Sequence, residues 1–448
     1  MRMPKAPRIS EESFNLILLT VVAGIVGMLT GVVAAYFKIF LRLAEMFRIW
    51  LTGYLHGEYP TLGFFTFLVI CMSATAVAAI LVTKIEPHAE GSGIPHVEQI
   101  VAGDVGPGRT RILPVKFVGG ILAIGAGLML GREGPLVQMG GTIASTVNKF
   151  IKVNKTDLRV IIGAGAAAGL ATAFNAPIAG GVFILEELVR RFDVRTTLAT
   201  LTASSSGFVA SIAIVGSETE FRMGPLPPPS LLTSHWIALA GIACGLLGVT
   251  YSWLVVFFLG VADAIKIPTW IRAATIGLVI SVIGWFSPHL VGGGDYLTQE
   301  ALWAHGTIWV TLGVLGLRFV LGPVCYAAGT PGGLFAPMLV IGSSTGLLVG
   351  QIAEYVQPGV DLSLPAMALV GMAAFFTATV RAPITGLILA TEMTGRVAML
   401  PPMLGACALA MLVATALHSE PIYDQLLKRS EKSKEMRKMI AAIRRKKS

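Results

Sequence analysis

Several stretches of this chain run without a charged residue for longer than a helix needs to cross a bilayer, among them Leu16 to Phe37, Thr61 to Thr83, Thr196 to Ser217 and Leu226 to Val261. About 20 apolar residues span a hydrocarbon core as helix, so these runs place the chain in a membrane. The composition of 54% hydrophobic and 13% charged residues, with 51 glycines among 448, excludes a soluble globular chain. Many other apolar segments are too short to span and are broken by glycine, the pattern of a transporter interior. The net charge of +9 comes from basic residues clustered at membrane edges without interleaved aromatics, so it reports topology and not nucleic-acid binding. Arg2, Lys5 and Arg8 at one end and the basic tail from Lys428 to Ser448 at the other place both termini in the cytoplasm. No small-residue cleavage site follows the first apolar run, which is expected to stay as a transmembrane helix.

Within this apolar background stands a charged pentapeptide, Gly131-Arg132-Glu133-Gly134-Pro135. Phe117 to Met129 before it and Leu136 to Val147 after it carry no charge. Their outer ends are basic, with Arg109, Arg111 and Lys116 on one side and Lys149, Lys152, Lys155 and Arg159 on the other. Both ends therefore face the cytoplasm, and the chain turns back at the motif. Each limb of some fifteen residues reaches roughly 22 Å as helix against about 30 Å of hydrocarbon, so the turn lies inside the membrane. Gly134-Pro135 signals a helix start there, with proline at the first helical position. The first amides of such a helix carry a partial positive charge that calls for an anion. Glu133 can supply one, competing with a transported anion and leaving when protonated, which links anion passage to a proton. The alternative is an Arg132–Glu133 ion pair that only stabilises a buried turn.

The chain also repeats itself. Asn175-Ala176-Pro177-Ile178-Ala179-Gly180 aligns with Arg381-Ala382-Pro383-Ile384-Thr385-Gly386 at an offset of 206, which also sets Glu186 on Glu392 and Gly165 on Gly371. Lys116-Phe117-Val118 aligns with Arg318-Phe319-Val320 at an offset of 202, which sets Gly131 on Gly333 and Pro135 on Pro337. Repeats of this kind in transporters bring broken helices together near the midplane with their N-termini aimed at an anion. The counterpart loop, Gly332-Gly333-Leu334-Phe335-Ala336-Pro337, has no carboxylate, so its amides are expected to take an external anion. A third glycine-punctuated helix start, Gly91-Ser92-Gly93-Ile94-Pro95, adds a hydroxyl donor. Cys71, Cys244, Cys325 and Cys407 lie singly in apolar segments and read as packing residues, and His96 reads as a loop residue. No metal site and no cofactor are expected.

These three motifs in this order, with a late tyrosine, resemble the signature of the CLC family of chloride channels and proton-coupled chloride antiporters, across nearly the whole chain. The resemblance implies that Ser92 and Tyr423 bind a central chloride, that Glu133 is the gating glutamate, and that the amides of Leu334 and Phe335 contribute to the anion site. Lys116 matches a lysine that adds positive potential to the pathway, where Arg132 also lies. By itself Lys116 reads as a snorkelling residue and Tyr423 as an interfacial anchor.

The resemblance further implies an all-α polytopic membrane protein of two inverted-topology repeats of tilted, partly broken helices, assembled as a homodimer with one pathway per subunit. The expected division is a single membrane domain over 1–448, with a first repeat at 14–217, a second at 226–418, and a C-terminal helix and basic cytoplasmic tail at 419–448. Many members carry cytoplasmic nucleotide-binding modules after the membrane domain. This chain ends shortly after Tyr423, so that regulation is expected to be absent.

Glu186-Glu187 bears on mechanism. In the exchangers the second glutamate of this pair receives the internal proton, and passive channels typically lack it. Glu187 therefore favours a chloride/proton antiporter of the bacterial inner membrane, with Glu133 as gate and proton carrier. Its partners are chloride, protons and the lipid bilayer. A passive chloride channel of the same family is the alternative. A membrane-embedded enzyme is remote, since no intramembrane serine–histidine pair or HExxH motif is present.

Overall fold

Short glycine-broken helices alternate with long ones, and the alternation occurs twice. In the computed structural model, which describes residues 11–58, 60–227 and 231–431, the first run comprises α1 (Glu11–Glu58), α2 (Pro60–Lys84), a 3-10 turn (Pro87–Ala89), α3 (Ile94–Ala102), α4 (Ile112–Gly125), α5 (Glu133–Ile151), α6 (Lys155–Phe174), α7 (Pro177–Phe183) and α8 (Val194–Val215). The second comprises α9 (Ser234–Ala264), α10 (Thr269–Phe286), a 3-10 turn (Pro288–Leu290), α11 (Asp295–Leu302), α12 (Ile308–Tyr326), α13 (Phe335–Val356), α14 (Leu364–Val380), α15 (Pro383–Thr394) and α16 (Leu400–Ala416). A last helix starts at residue 422. The fold is therefore all-α, two inverted-topology repeats of eight helices each. The basic residues at the extreme N-terminus and most of the basic tail lie outside the described residues.

Nine helices among the described residues are long and apolar enough to cross a membrane; α4 and α14 are shorter apolar helices. With 48 residues, α1 far outruns the stretch read from Leu16 to Phe37, and at 1.5 Å per residue it extends roughly 70 Å. It exposes Ile17, Val21, Met28, Phe40 and Phe47, a surface suited to lipid. The run read from Leu226 becomes α-helical only at Ser234, behind Pro227.

Small residues let the central helices touch backbone to backbone. A methyl group on Gly140 of α5 would stand 2.0 Å from the Gly165 carbonyl oxygen of α6, and one on Gly165 would stand 2.4 Å from that of Gly140. The second half repeats the contact between α13 and α14, where Gly342 and Gly371 face each other in the same way. Close approach through small residues is how helices gain packing energy where lipid supplies no hydrophobic drive. It also accounts for the Gly165–Gly371 correspondence in the sequence.

The two halves are joined at their loops. Gly131 and Gly333 exchange a pair of backbone hydrogen bonds, each 2.7 Å, while Gly91 donates to Thr330 at 3.1 Å and accepts from Gly332 at 3.0 Å. All three glycine motifs of the sequence thus meet in one hydrogen-bonded knot between the repeats.

Candidate anion and proton pathway

Around that knot several helices end inside the protein. Proline sits second in α3 and third in α5 and α13, not first as expected, because α5 starts at Glu133 and α13 at Phe335. The position remains within the first turn, where backbone N–H groups lack intrahelical partners. Glu133 is wholly buried, and its carboxylate reaches across the repeat boundary to accept from the Ala336 amide of α13 at 3.4 Å. The other carboxylate oxygen, Oε1, is buried without a partner among the described residues. Besides standing in the first turn of its own helix, Glu133 therefore supplies the anion that caps α13 from the opposite repeat, whereas the sequence suggested that the Gly332–Pro337 loop lacks an internal anion.

Arg132 does not pair with Glu133. Its guanidinium binds Glu220 and Asp295, the latter at 3.0 Å, and donates to the Ala173 carbonyl at 3.3 Å. Glu220 also lies 3.6 Å from Lys38. These side chains wall a cavity of about 710 Å³ whose lining includes Glu133 and Ala336, so the carboxylate lies at the end of a charged vestibule.

Ser92 is buried in the loop ahead of α3, where Gly93 adopts φ 78° to start the helix. A methyl on Gly134 would stand 2.6 Å from the Ser92 Cβ, so the start of α5 rests on the serine loop. Lys116 is fully buried and does not snorkel: its Nζ donates to the carbonyls of Ala89 at 3.0 Å and Gly91 at 2.5 Å, fastening the same loop to α4. Leu334 caps α13 and Phe335 opens it; the Phe335 ring packs against Phe174, Phe183 and Phe376. Tyr423 is no interfacial anchor, being fully buried with its hydroxyl unpartnered among the described residues. Its ring meets that of Phe183 edge-on, with centroids 6.4 Å apart.

Glu186 and Glu187 separate in role. They lie in a π-helical turn, Ile184–Leu188, that follows α7, a distortion frequent at functional sites. Glu186 accepts from the amides of Ile384 at 3.0 Å and Thr385 at 2.7 Å and from the Thr385 hydroxyl, capping α15. Its repeat counterpart Glu392 returns the contact, accepting from Ile178 at 3.1 Å and Ala179 at 2.7 Å to cap α7. Glu187 is buried, and its Oε1 has no partner among the described residues.

Next to Glu187, Arg190 donates to the Glu187 carbonyl at 3.1 Å and pairs with Asp424 at 2.5 Å and Glu98 at 3.6 Å. Glu98 belongs to the nine-residue α3, too short to span. Burial pushes its carboxyl up to about 7, with Asp424 adding to the rise and Arg190 opposing it.

Two residues escaped the sequence reading. Tyr326, at the end of α12 just ahead of the second glycine loop, places its hydroxyl 3.4 Å from the Ser92 amide and 3.5 Å from its Oγ. No local signal in the sequence points there, since the contact joins residues 234 apart. His96 is not a loop residue. It lies in α3, stacks on His88 with ring centroids 4.9 Å apart, and its Nδ1 is 3.0 Å from Gln138 Nε2 of α5.

Comparison with known proteins identifies the family and the fold. The family model described as voltage gated chloride channel matches residues 74–415. The "H(+)/Cl(-) exchange transporter ClcA" of Vibrio parahaemolyticus is 35% identical over 428 residues, covering 93% of this chain and 91% of its own. The protein of the same name from Klebsiella pneumoniae is 32% identical, covering 94% and 91%. Among solved structures, a slow cyanobacterial Cl−/H+ antiporter superposes with a TM-score of 0.88 at 31% identity, covering 92% of this chain and 97% of that one.

Proposed function

The chain belongs to the CLC family of voltage-gated chloride channels and transporters, and from that premise we propose that it is a secondary active transporter exchanging chloride for protons across a membrane. The observation that carries the reading is the bond from the Ala336 amide to the Glu133 carboxylate, an ionisable group standing where an anion is wanted. When Glu133 is ionised it occupies the α13 N-terminus and excludes chloride. When it takes a proton its charge is lost, its hold on the amide weakens, and an anion replaces it. Each proton accepted thus admits an anion, and each anion displaced returns the carboxylate.

Chloride rests between Ser92 and Tyr423, with the amides of Leu334 and Phe335 adding donors. Lys116, buried against the loop that carries Ser92, adds positive potential to the approach, which concentrates anions and repels protons, whereas the Arg132 charge is met by Glu220 and Asp295. The proton therefore needs its own inner route, and Glu187, buried and uncommitted, serves as the internal acceptor, while Glu186 is engaged as a helix cap. No covalent intermediate is formed. The relatives' origin supports an inner membrane of a bacterium; the basic residues at each end of the sequence support cytoplasmic termini, and the family resemblance supports a homodimer carrying one pathway per subunit. The repeats are assigned to 14–217 and 226–418.

The test is a chloride gradient across sealed vesicles containing the purified protein. Exchange moves protons against their own gradient as chloride runs down. Chloride flux without proton movement would mark a passive channel and refute exchange.

A further inference from the structure

Tyr326 is unaccounted for by the pathway just described, although its hydroxyl approaches Ser92 twice. The phenol oxygen accepts from the Ser92 amide at 3.4 Å and lies 3.5 Å from Oγ, and Oγ also accepts from the Ile94 amide at 3.3 Å. The surroundings hold the phenol in place. A methyl group on Gly91 would stand 2.9 Å from the Tyr326 hydroxyl, and Gly91 itself takes φ 61°, so glycine alone leaves the phenol its room.

We infer that Tyr326 is the positioning residue for the Ser92 hydroxyl, donating into Oγ so that Ser92 can offer the anion nothing except its proton. A serine hydroxyl has one donor and two acceptor lone pairs. With Ile94 N–H on one and Tyr326 O–H on the other, both acceptor sites are taken, and the proton points to the only unfilled direction. Accepting hydrogen bonds also strengthens the hydroxyl as a donor, since chained bonds polarise one another. The buried Tyr423 hydroxyl lacks a partner among the described residues and has its own proton to give. A site lined this way presents donors without acceptors. It favours a halide or small oxyanion over water or a cation, which need a lone pair from the protein.

This inference rests on the proposed anion site at Ser92, and a double-mutant cycle separates the two. Chloride affinity is measured by calorimetric titration of the purified protein for wild type, Tyr326→Phe, Ser92→Ala and the double variant. Ser92→Ala alone must weaken chloride binding; if it does not, the proposed anion site itself is wrong. Tyr326→Phe keeps the ring and removes the hydroxyl, and is expected to raise the chloride Kd roughly three- to tenfold, the range of one neutral hydrogen bond. In the Ser92→Ala background the same change should alter Kd by less than about twofold, because the group it positions is gone. An equal loss in both backgrounds would show Tyr326 acting directly or through the fold, and no loss in the Ser92 background would show it idle; either overturns the inference. Should Tyr326→Phe not survive detergent, the half-saturating chloride concentration for flux in membrane vesicles supplies the same four numbers.

Discussion

Replacing Glu133 by glutamine removes the charge and keeps the size, and the effect can be worked from one hydrogen bond. The carboxylate competes with chloride for the start of α13, where it accepts from Ala336 at 3.4 Å. A hydrogen bond to a charged group contributes about 1.5–3 kcal/mol, and a neutral one about 0.5–1.5. The glutamine carbonyl keeps the neutral share, so the lost competition amounts to roughly 1–1.5 kcal/mol, near a factor of ten. Apparent affinity falls with the fraction of protein whose site is open, so relieving the competition raises it by that factor. Glu133→Gln is therefore expected to bind chloride about tenfold more tightly in calorimetric titration and to move chloride in vesicles without moving protons. Its chloride flux should no longer depend on pH. Affinity at or below wild type, or undiminished proton transport, would refute the competition on which the mechanism depends.

Glu187→Gln should let chloride pass but no longer drive protons, read as paired chloride efflux and external pH change; persisting proton movement places the inner acceptor elsewhere. Glu186→Ala and Glu392→Ala each strand two helix-start amides, and each should cost roughly 2–5 kcal/mol, seen as a lower unfolding midpoint; an unchanged midpoint in both would remove the capping argument. Glu98 binds its proton up to about pH 7 in the folded protein against an ordinary value of 4.5. Folding thus favours its protonated form, and its contribution to stability declines as pH rises from 4.5 to 7. Glu98→Gln should flatten that decline relative to wild type in thermal unfolding, and identical pH profiles for the two proteins would count against it.

How far the sequence disclosed this structure depended on the distance over which each feature acts. The uncharged runs, the glycine motifs and the repeat offsets are local or self-referential, and they led to the membrane, the internal helix starts and the paired halves. Partners across the repeat boundary were hidden. Arg132 next to Glu133 invites a pairing that the structure replaces with Glu220 and Asp295, which come from the linker after α8 and the start of α11. Lys116 and Tyr423 read as surface residues because burial depends on what covers them, which for Lys116 includes the Ala89–Gly91 loop and for Tyr423 the distant Phe183. Tyr326 was overlooked for the same reason: a lone tyrosine at a helix end has no meaning until the loop of Ser92 is brought against it.

The repeat offers a reason why, in the proposed mechanism, one carboxylate moves while two others hold. Glu133, Glu186 and Glu392 all perform one operation, capping a helix of the opposite repeat. Glu186 accepts three hydrogen bonds, its two from amides at 3.0 and 2.7 Å, and Glu392 accepts two at 3.1 and 2.7 Å. Glu133 makes one such bond across the boundary, at 3.4 Å, and leaves Oε1 buried without a partner among the described residues. Each charge-assisted bond removed lowers the cost of leaving by an amount comparable to the pair's own worth, about 1.5–3 kcal/mol. The strong caps therefore staple the halves together around the pseudo-twofold axis, and the weak one, built from the same device, is left within reach of displacement by an anion or a proton. The counterpart position to Glu133 is Phe335, which cannot cap α5 in return. In the proposed mechanism that asymmetry gives an otherwise duplicated fold a single gate.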